Sequence, residues 1–231
     1  MEDLNSKLEE LKRFIKEKGK DGVVIAFSGG VDSSTLAAVS YEVLGEKAVA
    51  VIAQSPTYTS EELRGAKKIA SDIGIKLYIV ETNELENPDF NKNPENRCYY
   101  CKTELLLTLI DFARKLGFKA VFEGTNSSDL GDHRPGFKAV QEVKGVFSPW
   151  MVNEFSKDEI RSVAKQMKLS VHDKPALACL ASRIRNRRTG IRKTCQALSS
   201  WHPSRLANGS SASSRFKAMS RANIRATISI C

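Results

Sequence analysis

Residues 23–34 read Val-Val-Ile-Ala-Phe-Ser-Gly-Gly-Val-Asp-Ser-Ser, an apolar run that stops at two glycines and passes at once into a helical pattern. Consecutive apolar residues without alternation fit a strand covered on both faces, as strands of a parallel sheet are. A helix that opens where such a strand ends belongs to a β-α unit, so this short stretch already commits the chain to an α/β fold. The turn also carries chemistry. Backbone N–H groups converge at the helix start, and the helix dipole adds partial positive charge, which suits a phosphate. Gly29 and Gly30 allow close backbone approach and angles closed to other residues. Ser28, Ser33 and Ser34 supply hydroxyl donors, and Asp32 can accept a hydrogen bond within the loop or help hold a divalent ion. No Gly-Lys-Ser/Thr follows, so the loop is not of Walker type.

The same alternation continues along the chain. Residues 2–18 form an amphipathic helix with Leu4, Leu8, Leu11 and Ile15 on one stripe. After the strand at 23–27, a helix over 31–44 ends at Gly45, and a second strand covers 48–53. Thr59-Ser60-Glu61-Glu62 caps a helix that Gly74 closes, and a third strand follows at 75–80. Residues 83–97, with Pro88 and Pro94, read as a polar loop. A helix then runs from about Cys98 to Leu116, Gly117 caps it, and a fourth strand covers 120–122. Ser156-Lys157-Asp158-Glu159 opens a further helix reaching about Leu169. The pattern predicts a doubly wound parallel sheet with helices on both faces and a small C-terminal region. Ligands of such sheets sit beyond the carboxyl ends of strands, where the Ser28 turn, Gln54-Ser55 and Glu123-Gly124-Thr125-Asn126 fall. Trp150, after Pro149, reads as core.

The organisation expected is a first domain over 1–150, the start of a C-terminal catalytic region over 151–183, and an atypical tail over 184–231. The net charge of +9 belongs to that tail, which has eight Arg, two Lys and no Asp or Glu, whereas residues 1–183 hold 26 basic and 27 acidic residues, a net of −1. An acid-free stretch of 48 residues with nine Ser cannot easily pack a core, and reads as a disordered or frameshifted end rather than a nucleic-acid arm. No apolar run approaches the roughly 20 residues needed to cross a bilayer. The N-terminus lacks the basic start and apolar stretch of a signal peptide, which points to a cytoplasmic protein.

Five cysteines in such a chain favour metal or redox chemistry over a disulfide framework. Cys98 and Cys101 form a Cys-x-x-Cys pair at a loop-to-helix junction, where backbone N–H groups, Arg97 and Lys102 would lower the thiol pKa values. The pair alone fits a zinc half-site, a redox pair or two buried thiols. A third cysteine, Cys179, lies far along. Three ligands are too few for a closed structural zinc site but enough for a [4Fe-4S] cluster with one open iron.

The loop at 28–34 resembles the pyrophosphate (PP) loop of the ATP pyrophosphatases, which cleave ATP between the α and β phosphates. Taken with Arg97-Cys-Tyr-Tyr-Cys-Lys102, Glu123-Gly-Thr-Asn126, Asp132-His-Arg-Pro-Gly136 and Ala178-Cys-Leu-Ala-Ser-Arg183, it resembles the LarE family over residues 1–183. These are ATP-dependent sulfur transferases that help build the nickel-pincer nucleotide of lactate racemase. The resemblance implies an adenine nucleotide α-hydrolase-like fold and the cofactors ATP, Mg2+ and, with three cysteines present, a [4Fe-4S] cluster that delivers sulfide. It implies that a carboxylate of pyridinium-3,5-biscarboxylic acid mononucleotide is adenylated and then converted to a thiocarboxylate.

On this resemblance Ser28, Gly29, Gly30, Asp32, Ser33 and Ser34 hold the pyrophosphate. Gln54, Thr125 and Asn126 lie at the nucleotide, and Arg134 and Arg183 anchor anionic groups beside Ser182. Cys98, Cys101 and Cys179 ligate the cluster. The implied partners are a small-molecule nucleotide, a sulfide donor and further copies of the chain in a hexamer. After Arg183 the chain departs from the family's Ile-Pro-Tyr-Gly-like continuation. Two competing readings are a tRNA-thiolating enzyme, opposed by the net charge of −1 over 1–183, and an inactive nucleotide- or metal-binding remnant.

Overall fold

The computed structural model describes residues 2–55, 59–82, 84–92, 94–131 and 135–175. Five strands, β1 (Val23–Ala26), β2 (Ala48–Gln54), β3 (Lys76–Glu81), β4 (Ala120–Phe122) and β5 (Val146–Phe147), make one sheet in the order β3-β2-β1-β4-β5. Every pairing is parallel. The helices are α1 (Glu2–Lys18), α2 (Val31–Leu44), α3 (Ser60–Ile73), α4 (Pro88–Asn91), α5 (Arg97–Lys115), α6 (Pro135–Glu142), α7 (Pro149–Val152) and α8 (Lys157–Gln166).

Successive strand side chains point to opposite faces, and the cores divide on that period. Val23 and Ile25 of β1, Ala48, Ala50 and Ile52 of β2, and Ala120 and Phe122 of β4 pack with α1, α2, α3 and α8. Val24, Val49, Val51 and Val121 point the other way and pack on Leu109, Ile110 and Ala113 of α5. This two-sided burial is why the strands read as unbroken apolar runs. The stripe expected on α1 is present, with Leu11 and Ile15 buried and Leu4 and Leu8 packed against the same core.

From β1 the chain steps outward to β2 and β3, then crosses back through α5 to β4 on the other side of β1. The carboxyl ends of β1 and β4 therefore diverge at a topological switch point, the crevice where open α/β sheets bind ligands. α7 and α8 cover that end: Trp150 and Phe155 are fully buried with ring centroids 5.0 Å apart, and Ile160, Val163 and Ala164 complete the same core.

Element ends follow local chemistry. Thr59 and Glu62 form a reciprocal capping box, and Gly74 ends α3 in the left-handed region at φ 83°. α8 opens with the same device at Ser156 and Glu159, and it stops at Gln166 rather than Leu169 because Lys168 turns left-handed at φ 56°. The stretch at 83–97, expected as loop, holds a single turn at Glu84–Glu86 and the short α4. Here Pro88 starts a helix instead of breaking one, because the Asn87 side chain accepts from the Asp89 N–H at 2.9 Å. The two-residue β5, α6 and four-residue α7 lie outside the periodic signals of the sequence. Trp150→Ala should cost about 3–5 kcal/mol through the cavity it leaves, read as a lower urea midpoint.

Candidate functional site

Between β1 and α2 the loop turns on Gly29, whose φ is +70°. A Cβ there would stand 2.8 Å from Ala66 Cβ and 3.0 Å from Ala66 Cα, so α3 closes over a position open only to glycine. The loop is knitted by its own side chains. The Ser28 N–H donates to Ser33 Oγ at 3.2 Å, the two hydroxyls are 3.0 Å apart, and Ser33 Oγ donates to the Gly30 carbonyl at 3.3 Å. Ser34 is fully buried, and its Oγ has no hydrogen-bond partner among the described residues.

Asp32, in the first turn of α2, is where the rest of the chain attaches to this loop. Its carboxylate meets the Lys157 ammonium from the first residue of α8, and Asn126 Nδ2 approaches the other oxygen at 3.5 Å. Trp150 Nε1 donates to the Asp32 carbonyl at 3.1 Å. Burial pushes the Asp32 carboxyl above the ordinary aspartate range, and Lys157 pulls against that shift without cancelling it. Gly124 presses against the same residues, since a Cβ there would lie 3.2 Å from Asp32 Cβ and 3.3 Å from the Ser33 nitrogen. A second ammonium arrives from Lys174, whose Nζ donates to the Gly29 carbonyl at 2.8 Å.

Glu123, the residue after β4, is 1% exposed and keeps its charge through a ring of donors. Lys102 Nζ lies 2.8 Å from one carboxylate oxygen and Thr125 Oγ1 donates to it at 2.7 Å. The Thr125 N–H, at 3.2 Å, and the Ser148 hydroxyl donate to the other oxygen. Burial opposes the charge, but Lys102, Ser148 and Thr125 outweigh it and hold the carboxyl below the usual glutamate range. Lys102 belongs to α5, so this ion pair fastens the start of that helix to the sheet.

α5 starts at Arg97, which puts Cys98 and Cys101 three residues apart on one helical face in the first turns. Lys102, four residues from Cys98, shares that face. α6 approaches closely, with Gly136 against the Cys98 carbonyl and Lys102 Cβ at 3.5 and 3.7 Å from a virtual Cβ. The consequence is a single cavity of about 480 Å³ whose lining includes Ser28, Asp32 and Ser33 of the loop, Cys98 and Cys101 of α5, and Thr125 after β4. Phe27, Phe90 and Phe137 give the cavity flat apolar walls.

The structure thus brings most of the expected residues together. Gly29 and Gly30 shape the loop, and Ser34 lies buried beneath it. Asn126 is 1% exposed and serves as an inner brace, accepting from the Ser128 N–H at 3.1 Å while reaching Asp32. Gln54 ends β2 as an exposed residue, while its neighbour Ser55 lines the cavity. Arg134, Cys179, Ser182 and Arg183 lie outside the described residues, as do Cys195 and Cys231. Among the described residues no group of three metal-ligating side chains is assembled.

Glu123, Ser148, Lys157 and Lys174 were given no role by the sequence patterns. A charge directly after the apolar Ala-Val-Phe of β4 was the signal available for Glu123. Lys157 sat concealed inside a capping box.

A family profile described as NAD synthase matches residues 4–97, which run from α1 through the loop and β3 to the first residue of α5. The NH3-dependent NAD synthetase of Campylobacter jejuni superposes with a TM-score of 0.58 over 99% of each chain at 20% identity, a likeness of fold. The chain has the fold of this NAD synthetase. Among curated relatives, an uncharacterized protein of Synechocystis is 48% identical over 181 residues, 78% of this chain and 66% of that protein. The pyridinium-3,5-bisthiocarboxylic acid mononucleotide synthase of Lactiplantibacillus plantarum is 32% identical over 163 residues, 70% of this chain and 59% of that protein. The chain is similar in sequence to both, and it spans 66% and 59% of those two relatives' lengths. No described helix is long and apolar enough to cross a membrane.

Because Glu123 is held below its ordinary range, its contribution to stability is full above about pH 4.3 and is lost as pH falls through the lowered folded value. Glu123→Gln should flatten that part of the acid unfolding profile, read by circular dichroism against pH. Lys102→Met strands a buried carboxylate and should cost about 3 kcal/mol. Adding Glu123→Gln to it should return part of the loss, a double-mutant cycle read in urea.

Proposed function

We propose that this PP-loop protein is an ATP-dependent sulfur transferase that adenylates a carboxylate and then exchanges the adenylate for sulfur. The observation that carries the reading is the shared cavity: the pyrophosphate loop and the Cys98–Cys101 pair face the same 480 Å³ space. An ATP-using ligase that amidates its substrate would have no use for two thiols on that wall. The 32% identity to a synthase of the pyridinium thiocarboxylate mononucleotide supports the corresponding biscarboxylate as substrate, in nickel-pincer nucleotide synthesis.

In the first half-reaction the N–H groups and hydroxyls of Ser28–Ser34 receive the β and γ phosphates, and Asp32 is the loop's carboxylate for Mg2+. A substrate carboxylate oxygen bonds to the α-phosphorus as the bond to the α–β bridging oxygen breaks, and pyrophosphate departs with that electron pair. In the second, a sulfide sulfur bonds to the acyl carbon, the acyl C–O bond breaks, and AMP leaves. Lys102 lines the same cavity, with its ammonium held by the Glu123 carboxylate at 2.8 Å.

Cys98 and Cys101, one helical turn apart and both on the cavity wall, fit two of the thiolate ligands of a [4Fe-4S] cluster, with Cys179 as the third. Such a cluster supplies an open iron on which sulfide can be held. The expected working state is a cytoplasmic homo-oligomer acting on a small-molecule nucleotide. Anchoring roles for Arg134, Ser182 and Arg183 belong to this proposal.

Two measurements test it. ATP–pyrophosphate exchange should require the pyridinium biscarboxylate, fall about 100-fold or more in Asp32→Asn, and persist in Cys98→Ser and Cys101→Ser, which lose only the thiolated product. Exchange that yields an amide from ammonia with no sulfur product would replace the sulfur transferase by a ligase. Anaerobic iron and acid-labile sulfide should reach about four per chain and drop in each of Cys98→Ser, Cys101→Ser and Cys179→Ser. A colourless chain that still makes thiocarboxylate would remove the cluster and leave a cysteine as the sulfur source.

A further inference from the structure

The peptide between Gly29 and Gly30 has a glycine on each side. Without Cβ contacts at either end it turns over readily, by a paired change of ψ at Gly29 and φ at Gly30. The loop's internal hydrogen bonds grip the next peptide instead. Ser33 Oγ at 3.3 Å and the Ser34 N–H at 3.0 Å both donate to the Gly30 carbonyl. The Gly30 N–H has a long contact, 3.4 Å, to Ser28 Oγ. Lys174 is what holds the glycine–glycine peptide, its Nζ donating to the Gly29 carbonyl at 2.8 Å from 145 positions along the chain. A planar trans peptide sets C=O and N–H on opposite sides, so holding the carbonyl also fixes the direction of the Gly30 N–H.

An ammonium on a flexible four-carbon stem is a loose tether unless its base is fixed. Lys174 ends a turn closed by the His172 N–H on the Leu169 carbonyl at 3.3 Å and by its own N–H on the Val171 carbonyl at 3.0 Å. Val171, at 2% exposure, roots that turn in the core. Arg161 of α8 grips it from the other side. One guanidinium nitrogen donates to the His172 carbonyl at 2.5 Å and another to the Lys174 carbonyl at 2.9 Å. A planar fork on two carbonyls sets an orientation as well as a distance, which the single ammonium of a lysine at 161 would not.

We infer that Arg161 is a positioning residue for the loop at 28–34: by holding the backbone of the 172–174 turn it aims the Lys174 ammonium at the Gly29 carbonyl, and so keeps the Gly30 N–H in one orientation. Arg161 supplies no part of the cavity lining, and it acts on the loop through Lys174. The consequence for catalysis rests on the adenylating reading, whereas the chain of contacts does not. Under that reading the Gly30 N–H is one of the donors that receive phosphate, and a peptide free to turn over presents it for only part of the time.

Two readouts on the full-length protein test the inference. In 15N–1H NMR spectra, Arg161→Gln should move the Gly30 amide signal to where Lys174→Met puts it, and the double variant should move it no further. Arg161→Lys, which keeps the charge but not the fork, should give the same shift, and it decides the matter should Arg161→Gln not fold. A Gly30 signal that stays in place in the Arg161 variants while their urea midpoints fall makes Arg161 merely structural and overturns the proposal. In ATP–pyrophosphate exchange, Arg161→Gln should lower the rate about tenfold, short of the 10²–10³ that loss of a donor costs, and should add nothing to the loss in Lys174→Met. Losses that multiply would mean that Arg161 acts by a route other than Lys174, and would also overturn it. A wild-type chain that shows the Gly30 shifts but no exchange with any carboxylate removes the adenylating reading and leaves the positioning of the loop by Arg161 supported.

Discussion

The buried charge of Glu123 is the constraint on which the geometry of the site depends. A carboxylate at 1% exposure is tolerable only with its donors in place, and those donors come from three separate elements. Lys102 brings the start of α5, Ser148 brings the turn between β5 and α7, and Thr125 brings the segment leaving β4. Satisfying one charge thus sets where the cysteine-bearing helix stands relative to the sheet. The glycine loop at 28–34 hangs from the neighbouring strand β1, so the spacing between that loop and the thiols follows from the same bond set.

A second constraint is steric. Ala66 of α3 closes on Gly29 from one side and Gly124 closes on Asp32 and Ser33 from the other. The loop is therefore held by walls as well as by hydrogen bonds, and its N–H groups keep their direction before any ligand arrives. Preorganised donors of this kind stabilise developing charge without a reorganisation cost at the moment of reaction.

Most of this was legible in the sequence wherever function and local pattern coincide. The buried strands announced themselves because a parallel sheet covers both faces. The glycines at 29 and 30 mark a turn, and Cys98 and Cys101 fall on one face because a three-residue spacing at a helix start forces it. What the sequence concealed depends on packing between distant elements. Lys102 meets Glu123 across 21 positions, Lys157 meets Asp32 across 125, and Lys174 meets Gly29 across 145. No local pattern encodes those meetings. The short β5, α6 and α7 escaped for a related reason: two to eight residues hold too little periodicity to register, and tertiary contacts select their conformation.

The attachment of α8 to α1 ties the two ends of the described chain to its centre. Lys7 bridges the Glu159 carboxylate and the Glu154 carbonyl, and its ammonium lies 5.1 Å from the Phe155 ring centroid. The residue steadied by that contact lies two positions along α8 from Lys157, the partner of Asp32. The amino-terminal helix, which supplies none of the residues lining the cavity, is in this sense a mechanical support for the electrostatics of the loop at 28–34. Any shortened or tagged version of the protein that unsettles the first turns of α1 would register its damage first in the Lys157–Asp32 contact at that loop, well before the fold itself gave way.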